Sequence, residues 1–128
     1  MKDPQSILIT GASSGIGAAL ARAYAAPGLG LALSGRHRER LDRVAADCRA
    51  AGAEVATGLV DVCARDELAA WMAGRDRERP LDLVIANAGI SAGTGAFGET
   101  DHQARQIFEV NFDGVVNTVL AAAAARSR

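Results

Sequence analysis

The chain has 128 residues, 49% of them hydrophobic and 4% aromatic, with a formal net charge of −1; this is the size of one domain, 1–128, with a core of Ala, Leu and Val. Near-neutral charge carries no electrostatic footprint for nucleic acid or an acidic membrane surface, and no apolar run approaches a membrane span. Two cysteines, Cys48 and Cys63, are too few for a disulfide scaffold and lack metal-ligand spacing, so no metal site is expected and a cytoplasmic protein with reduced thiols is the simplest reading.

The opening residues, Met1-Lys2-Asp3-Pro4-Gln5, lead straight into an apolar run, not a secretion signal. Ser6 to Thr10 reads as the first strand. A first helix is expected from Gly15 to Ala26, stopped by Pro27-Gly28. Leu29 to Ser34, bounded by Gly35, reads as the second strand. The second helix covers Arg38 to Ala51, with Leu41, Val44, Ala45 and Cys48 on one face and Gly52 as its C-terminal cap signal. Ala53 to Val60 is the third strand. Ala64 to Gly74 is the third helix, with Leu68, Trp71 and Met72 inward, and the charged run from Arg75 to Pro80 reads as a surface connection. Leu81 to Ala86 is the fourth strand. A glycine-rich loop over residues 87–100 follows, then a last helix from Asp101 to Ala125, capped by Thr100 or Asp101. Four strands alternating with helices predict a doubly wound parallel α/β sheet, helices on both faces, in the order 3-2-1-4. A full fold of this type continues with more strands beside the fourth, so the expected sheet is incomplete.

The run Thr10-Gly11-Ala12-Ser13-Ser14-Gly15-Ile16-Gly17 joins the first strand to the first helix. Gly11 permits a sharp turn, Gly15 lets backbone approach a pyrophosphate, and Gly17 lets the helix pack close to the strand. The helix start offers unpaired N–H groups and the positive end of its dipole. A glycine-rich hairpin is the alternative for such a string; the flanking strand and helix argue against it. No Gly-Lys-Ser/Thr follows, which excludes a P-loop.

In the NAD form of this arrangement, an Asp or Glu about 20 residues beyond the glycines binds the ribose 2′-hydroxyl. Here that place holds Ser34-Gly35-Arg36. The absence of a carboxylate removes the repulsion of a 2′-phosphate, and Arg36 offers it a planar, permanently charged fork. His37 and Arg38 add positive character, and Ser13 or Ser14 can donate a hydroxyl. NADP(H) is therefore favoured over NAD(H). The alternative is a solvated helix start, which suits Arg40 and Arg43 better than Arg36. At the end of the third strand, Asp61 of Asp61-Val62 either accepts from an adenine amino group or caps the segment starting at Ala64. Asn87 lies just past a strand's carboxyl end, where open sheets bind ligands, and Gly89 permits close backbone approach to a ribose.

Taken together these motifs resemble the N-terminal half of a short-chain dehydrogenase/reductase, over the whole chain. The turn from Thr10 to Gly17 matches that family's cofactor loop. Ser34-Gly35-Arg36 looks like its NADP-type second-strand end, and Asp61-Val62 like its adenine-site pair. Ala86-Asn87-Ala88-Gly89 is similar to its Asn-Asn-Ala-Gly motif, with Ala86 in place of the first Asn. Asn111 resembles its active-site Asn, which holds a water in a proton relay; an Asn pinning backbone in the core is the other reading of an amide in so apolar a helix. The resemblance implies a Rossmann-like fold and hydride transfer between a nicotinamide and a small carbonyl or alcohol. It also implies a Tyr-x-x-x-Lys pair, whereas the only tyrosine is Tyr24, with Gly28 four residues on, and the only lysine is Lys2. Three expectations follow: an NADP(H)-dependent oxidoreductase represented by its cofactor-binding part, a non-catalytic NADP(H)-binding module, or an inactive truncated product. His37 and His102 read as surface residues. The loop from Ile90 to Gly98 can form one wall of a substrate pocket.

The last helix carries one narrow polar row, Arg105, Glu109, Asp113 and Asn117. Phe108, Val110, Phe112, Val116, Val119 and Leu120 leave it apolar on most of the remaining surface. Such a helix expects burial on more than one side, and the resemblance implies a homo-oligomer built through it. The fourth strand also presents an unpaired edge.

Overall fold

The computed structural model describes residues 3–87, 105 and 112–126. Among them, four strands pair in parallel: β1 (Ser6–Ile9), β2 (Gly30–Ser34), β3 (Glu54–Gly58) and β4 (Leu83–Ile85). Their order is β3-β2-β1-β4, as the alternating pattern predicts. The register sets Ile7 opposite both Leu31 and Leu83, and Leu31 opposite Val55. Four helices accompany them: α1 (Gly15–Tyr24), α2 (Arg38–Ala50), α3 (Arg65–Glu78) and α4 (Gly114–Arg126).

Strand alternation divides the core into two layers. Ile7, Ile9, Leu31 and Leu33 face one way, against Ala18 and Ala21 of α1 and Leu41, Val44 and Cys48 of α2. Leu8 and Ala32 face the other way, against Leu68 and Met72 of α3 and Ala121 of α4. A sheet covered on both faces needs near-continuous apolar strands, which is what Ser-Ile-Leu-Ile and Gly-Leu-Ala-Leu-Ser provide. Burial pushes the Cys48 thiol above its ordinary pKa, against the opposing pull of Arg22 and with a smaller push from Asp47, so the thiol is a protonated core group. No helix among the described residues is long and apolar enough to cross a membrane.

Several boundaries differ from expectation. α1 stops at Tyr24, before Ala26, where Ala25 already leaves the helical region with ψ 122°; Pro27 disfavours helical backbone at Ala26, the residue before it. α2 ends one residue early, at Ala50, and closes as expected on Gly52, whose φ is +99°. Ala53 N–H returns to the Cys48 carbonyl and Gly52 N–H to that of Arg49, a Schellman closure. The largest difference is in the charged run: Arg75-Asp76-Arg77-Glu78 continues α3 and is not a surface connection. Arg and Glu are good helix formers, Arg75 pairs with Glu78 at 3.1 Å, and the helix ends only ahead of Pro80. The strands are shorter than their apolar runs; Leu81 and Asp82 precede β4. The Asp82 carboxylate instead accepts the N–H groups of Gln5 and Ser6 at 2.9 and 3.1 Å.

The charged run also serves the opposite end of the sheet from the glycine turn. Arg79, just past α3, donates to the carbonyls of Gln5 and Gly28 at 3.0 and 2.6 Å and to Glu54 at 3.2 Å. One guanidinium thus ties the entries of β1, β2 and β3, lying flat on Gly30, where an added Cβ would sit 2.8 Å from its side chain. Arg79→Ala is expected to destabilise the fold by about 2 kcal/mol, as loss of charge-assisted bonds to backbone does. Thermal unfolding checks it; an unchanged melting temperature would remove this clamp from the account.

Candidate functional site

The carboxyl ends of the strands gather those residues singled out by sequence that lie among the described ones, and the turn after β1 is the centre of that edge. Gly11 and Gly15 both take positive φ, +66° and +60°, a region costly for any side chain bearing a Cβ. A Cβ on Gly15 would meet nothing within 4 Å, so the turn is open on that side. Gly17 is the reverse case: its Cβ would overlap the Gly11 carbonyl oxygen and lie 2.6 Å from Asn87 Nδ2. Helix and turn therefore touch backbone to backbone.

Ser14 precedes α1 with extended backbone and makes no side-chain cap, and the first turn of α1 holds no acidic residue. The leading N–H groups and the positive helix end thus meet no carboxylate from the first turn of α1 itself, which favours an anion at the helix start. Ile16 stands 71% exposed beside them. An open glycine corner, an uncapped helix start and an exposed apolar side chain suit a pyrophosphate flanked by flat rings.

The next strand crossing brings Arg36 to the same corner. Ala12 N–H donates to the Ser34 carbonyl at 2.8 Å. Gly35 packs against Ser13, where an added Cβ would come within 2.9 Å of the Ser13 Cβ. The backbone leading into α2 therefore lies directly on the turn. Arg36 and His37 are exposed, and Arg36 forms no salt bridge among the described residues. The Ser34 hydroxyl, at the same edge, is buried without a hydrogen-bond partner among them.

Asp61 and Val62 follow β3. Asp61 Oδ1 accepts the Cys63 N–H at 2.8 Å, closing a tight turn three residues ahead of α3. The N-cap of that helix is Ala64, with no side-chain cap, so the carboxylate of Asp61 caps this turn and not the helix. Val62 is buried among Leu68, Met72 and Ala121. Asn87, after β4, donates its side-chain amide to the Gly11 carbonyl at 3.2 Å, and its backbone N–H goes to Thr10 Oγ1 at 3.0 Å. Its amide thus holds the glycine turn in shape. Ala88, Gly89, Asn111, His102 and the loop from Ile90 to Gly98 lie outside the described residues. Among the described residues no cluster of three or more His, Cys, Asp or Glu could hold a metal ion.

Three residues that the sequence names take part through contacts it does not show. Thr10 is buried and links β4 to the turn through Ile85 and Asn87. Gly35 read as a strand boundary, yet its missing Cβ is what admits Ser13. Asn117 read as one member of a polar row, yet its side-chain amide donates to the Val62 carbonyl at 2.9 Å. For Asn117 a signal existed: an amide in an apolar helix needs a partner, the argument applied to Asn111.

The short chain dehydrogenase family model matches residues 5–127. Galactitol 2-dehydrogenase (L-tagatose-forming) of Cereibacter sphaeroides is 37% identical over 108 residues, covering 84% of this chain and 41% of that protein. An alcohol dehydrogenase from the archaeon Thermococcus sibiricus, complexed with 5-hydroxy-NADP, superimposes with a TM-score of 0.82 at 32% identity, over 94% of this chain and 52% of that one. A short chain dehydrogenase from Mycobacterium paratuberculosis bound to NAD superimposes with a TM-score of 0.84 at 25% identity, over 94% of this chain and 50% of the other. The chain spans about half the length of these relatives or somewhat less.

Proposed function

The chain belongs to the short-chain dehydrogenase family, and from that premise we propose that it binds NADP(H) over the β1–α1 turn, as the cofactor-binding part of an oxidoreductase acting on a small carbonyl or alcohol. The observation that carries this reading is the open glycine corner with Arg36 beside it. Gly11, Ser13, Ser14, Gly15, Ile16 and Gly17 form the phosphate cradle. Arg36, exposed and without a salt bridge among the described residues, presents a planar fork to a 2′-phosphate; no carboxylate stands at Ser34-Gly35-Arg36 to favour NAD instead. Asp61 and Val62 flank the adenine, and Asn87, Ala88 and Gly89 the adjoining ribose. Asn111 holds a water on the proton path. When bound, the nicotinamide supplies or accepts the hydride; this chain's part is to fix the dinucleotide. A cytoplasmic location is part of the same reading.

A calorimetric titration tests it. NADPH is expected to bind at least tenfold more tightly than NADH, the least that one charge-assisted fork contributes. Binding of neither nucleotide, or tighter binding of NADH, would overturn the reading.

The partner reading is a homo-oligomer through α4. Phe112, Val119 and Leu120 are 55%, 55% and 59% exposed and Val116 joins them, a cluster of large apolar side chains of the kind that marks an interface. Leu120→Arg is expected to shift the chain toward monomer in sedimentation at micromolar concentration. A wild-type chain that is already monodisperse monomer would contradict this.

A further inference from the structure

We propose that Asn117, on α4, is a positioning residue for the adenine side of the nucleotide site, an inference that rests on the NADP(H) reading above. The contact between α4 and the turn from Asp61 to Cys63 centres on Val62. Its carbonyl oxygen can only accept, so the donor facing it must be the amide nitrogen of Asn117, and Nδ2 lies 2.9 Å away. One turn earlier on the same helix, Gly114 lies against the Val62 side chain so closely that an added Cβ would overlap its Cγ2. Thr118, buried, donates its hydroxyl to the Gly114 carbonyl at 2.7 Å, and this bond belongs to the same helical turn. Main chain and side chain of Val62 are thus both gripped by α4.

The residues on either side of Val62 make that grip matter for a ligand. Asp61 closes its turn on Cys63 N–H at 2.8 Å, so Asp61, Val62 and Cys63 form one hydrogen-bonded corner. The Asp61 carboxylate is exposed at the carboxyl edge of the sheet, where it can accept from the 6-amino group of adenine. Asn117 touches no nucleotide in this arrangement. It sets the corner from behind, from a helix whose other described residues are mostly Val, Leu and Ala.

The test compares NADP⁺ with its deaminated analogue, nicotinamide hypoxanthine dinucleotide phosphate, which carries a carbonyl in place of the 6-amino group. The wild-type chain is expected to prefer NADP⁺ by about fivefold, the value of one hydrogen bond. Asn117→Leu removes the donor at similar volume and is expected to bring the ratio within twofold. Asn117→Gln keeps a donor and is expected to restore part of the preference. Melting temperatures are taken in parallel; a purely structural role lowers stability and leaves the ratio unmoved. Should Asn117→Leu fail to fold, Asn117→Ala reads the same ratio without added branching. A wild-type preference that survives intact in a folded donorless variant overturns the proposal while leaving the NADP(H) reading standing. A wild-type chain that binds neither dinucleotide overturns both.

Discussion

Gly17→Val is expected to abolish the fold's cofactor corner and to lower stability by about 3 kcal/mol, the upper end of what forced overpacking costs. Gly17 is helical, so the cost is contact and not conformation. Its Cβ would occupy the place of the Gly11 carbonyl oxygen and press on Asn87 Nδ2 at 2.6 Å. Relief requires either moving α1 off the strand or breaking the Asn87–Gly11 bond, and both distort the turn. A loss of this size lowers the melting temperature by roughly 10 °C or more. Gly15→Ala is the contrasting variant. It meets nothing within 4 Å but must hold φ at +60°, which costs about 1–2 kcal/mol. That variant is expected to fold and to bind NADPH poorly, because the new methyl stands where backbone should approach phosphate. If Gly17→Val melted within two or three degrees of the wild type, the backbone-to-backbone packing of turn and helix would be refuted.

The second large effect is on cofactor choice. Arg36→Asp is expected to weaken NADPH binding by about 100-fold, by deleting a charge-assisted fork and setting a carboxylate against the 2′-phosphate. NADH binding is expected to improve, since the new carboxylate can accept from a free 2′-hydroxyl. Stability should hardly move, because Arg36 is exposed and in no salt bridge among the described residues. Direct titration of both nucleotides checks the prediction. An unchanged NADPH to NADH ratio would remove Arg36 from the site.

The fold was legible because two signals agreed. Apolar runs of strand length alternated with stretches carrying the 3.6 period, and glycines stood where the backbone had to reverse or approach. Leu41, Val44, Ala45 and Cys48 read as one buried face and are one. The sequence misled where local pattern and tertiary use diverge. The run from Arg75 to Glu78 looks like solvated linker by polarity, yet its residues favour helix and Arg79 finds acceptors at the entries of three strands distant in sequence. Strand ends were overread because apolar residues such as Leu81 and Val60 pack without pairing.

The shape of the candidate site was legible in its glycines, whose spacing implies the positive φ of Gly11 and Gly15 and the close packing of Gly17. It was less legible where function depends on contact across the fold. Asn87 reads from sequence as a ligand-side residue; that its side-chain amide also donates to the Gly11 carbonyl, 76 positions away, does not show in the sequence. Asp61 left two readings open from sequence; the structure gives its carboxylate a third use, in the turn at Cys63. Thr10 and Asn117 act through bonds to residues 77 and 55 positions distant, which no local spacing reveals.

The most direct measurement is amide chemical-shift mapping of the folded chain as NADP⁺ is added. The account predicts that the largest shifts fall on residues 11–17 and on Arg36, with smaller ones at Asp61 and Val62. A folded chain whose glycine-turn amides stay fixed at saturating NADP⁺, or whose shifts gather at the Arg79 end of the sheet, would contradict it.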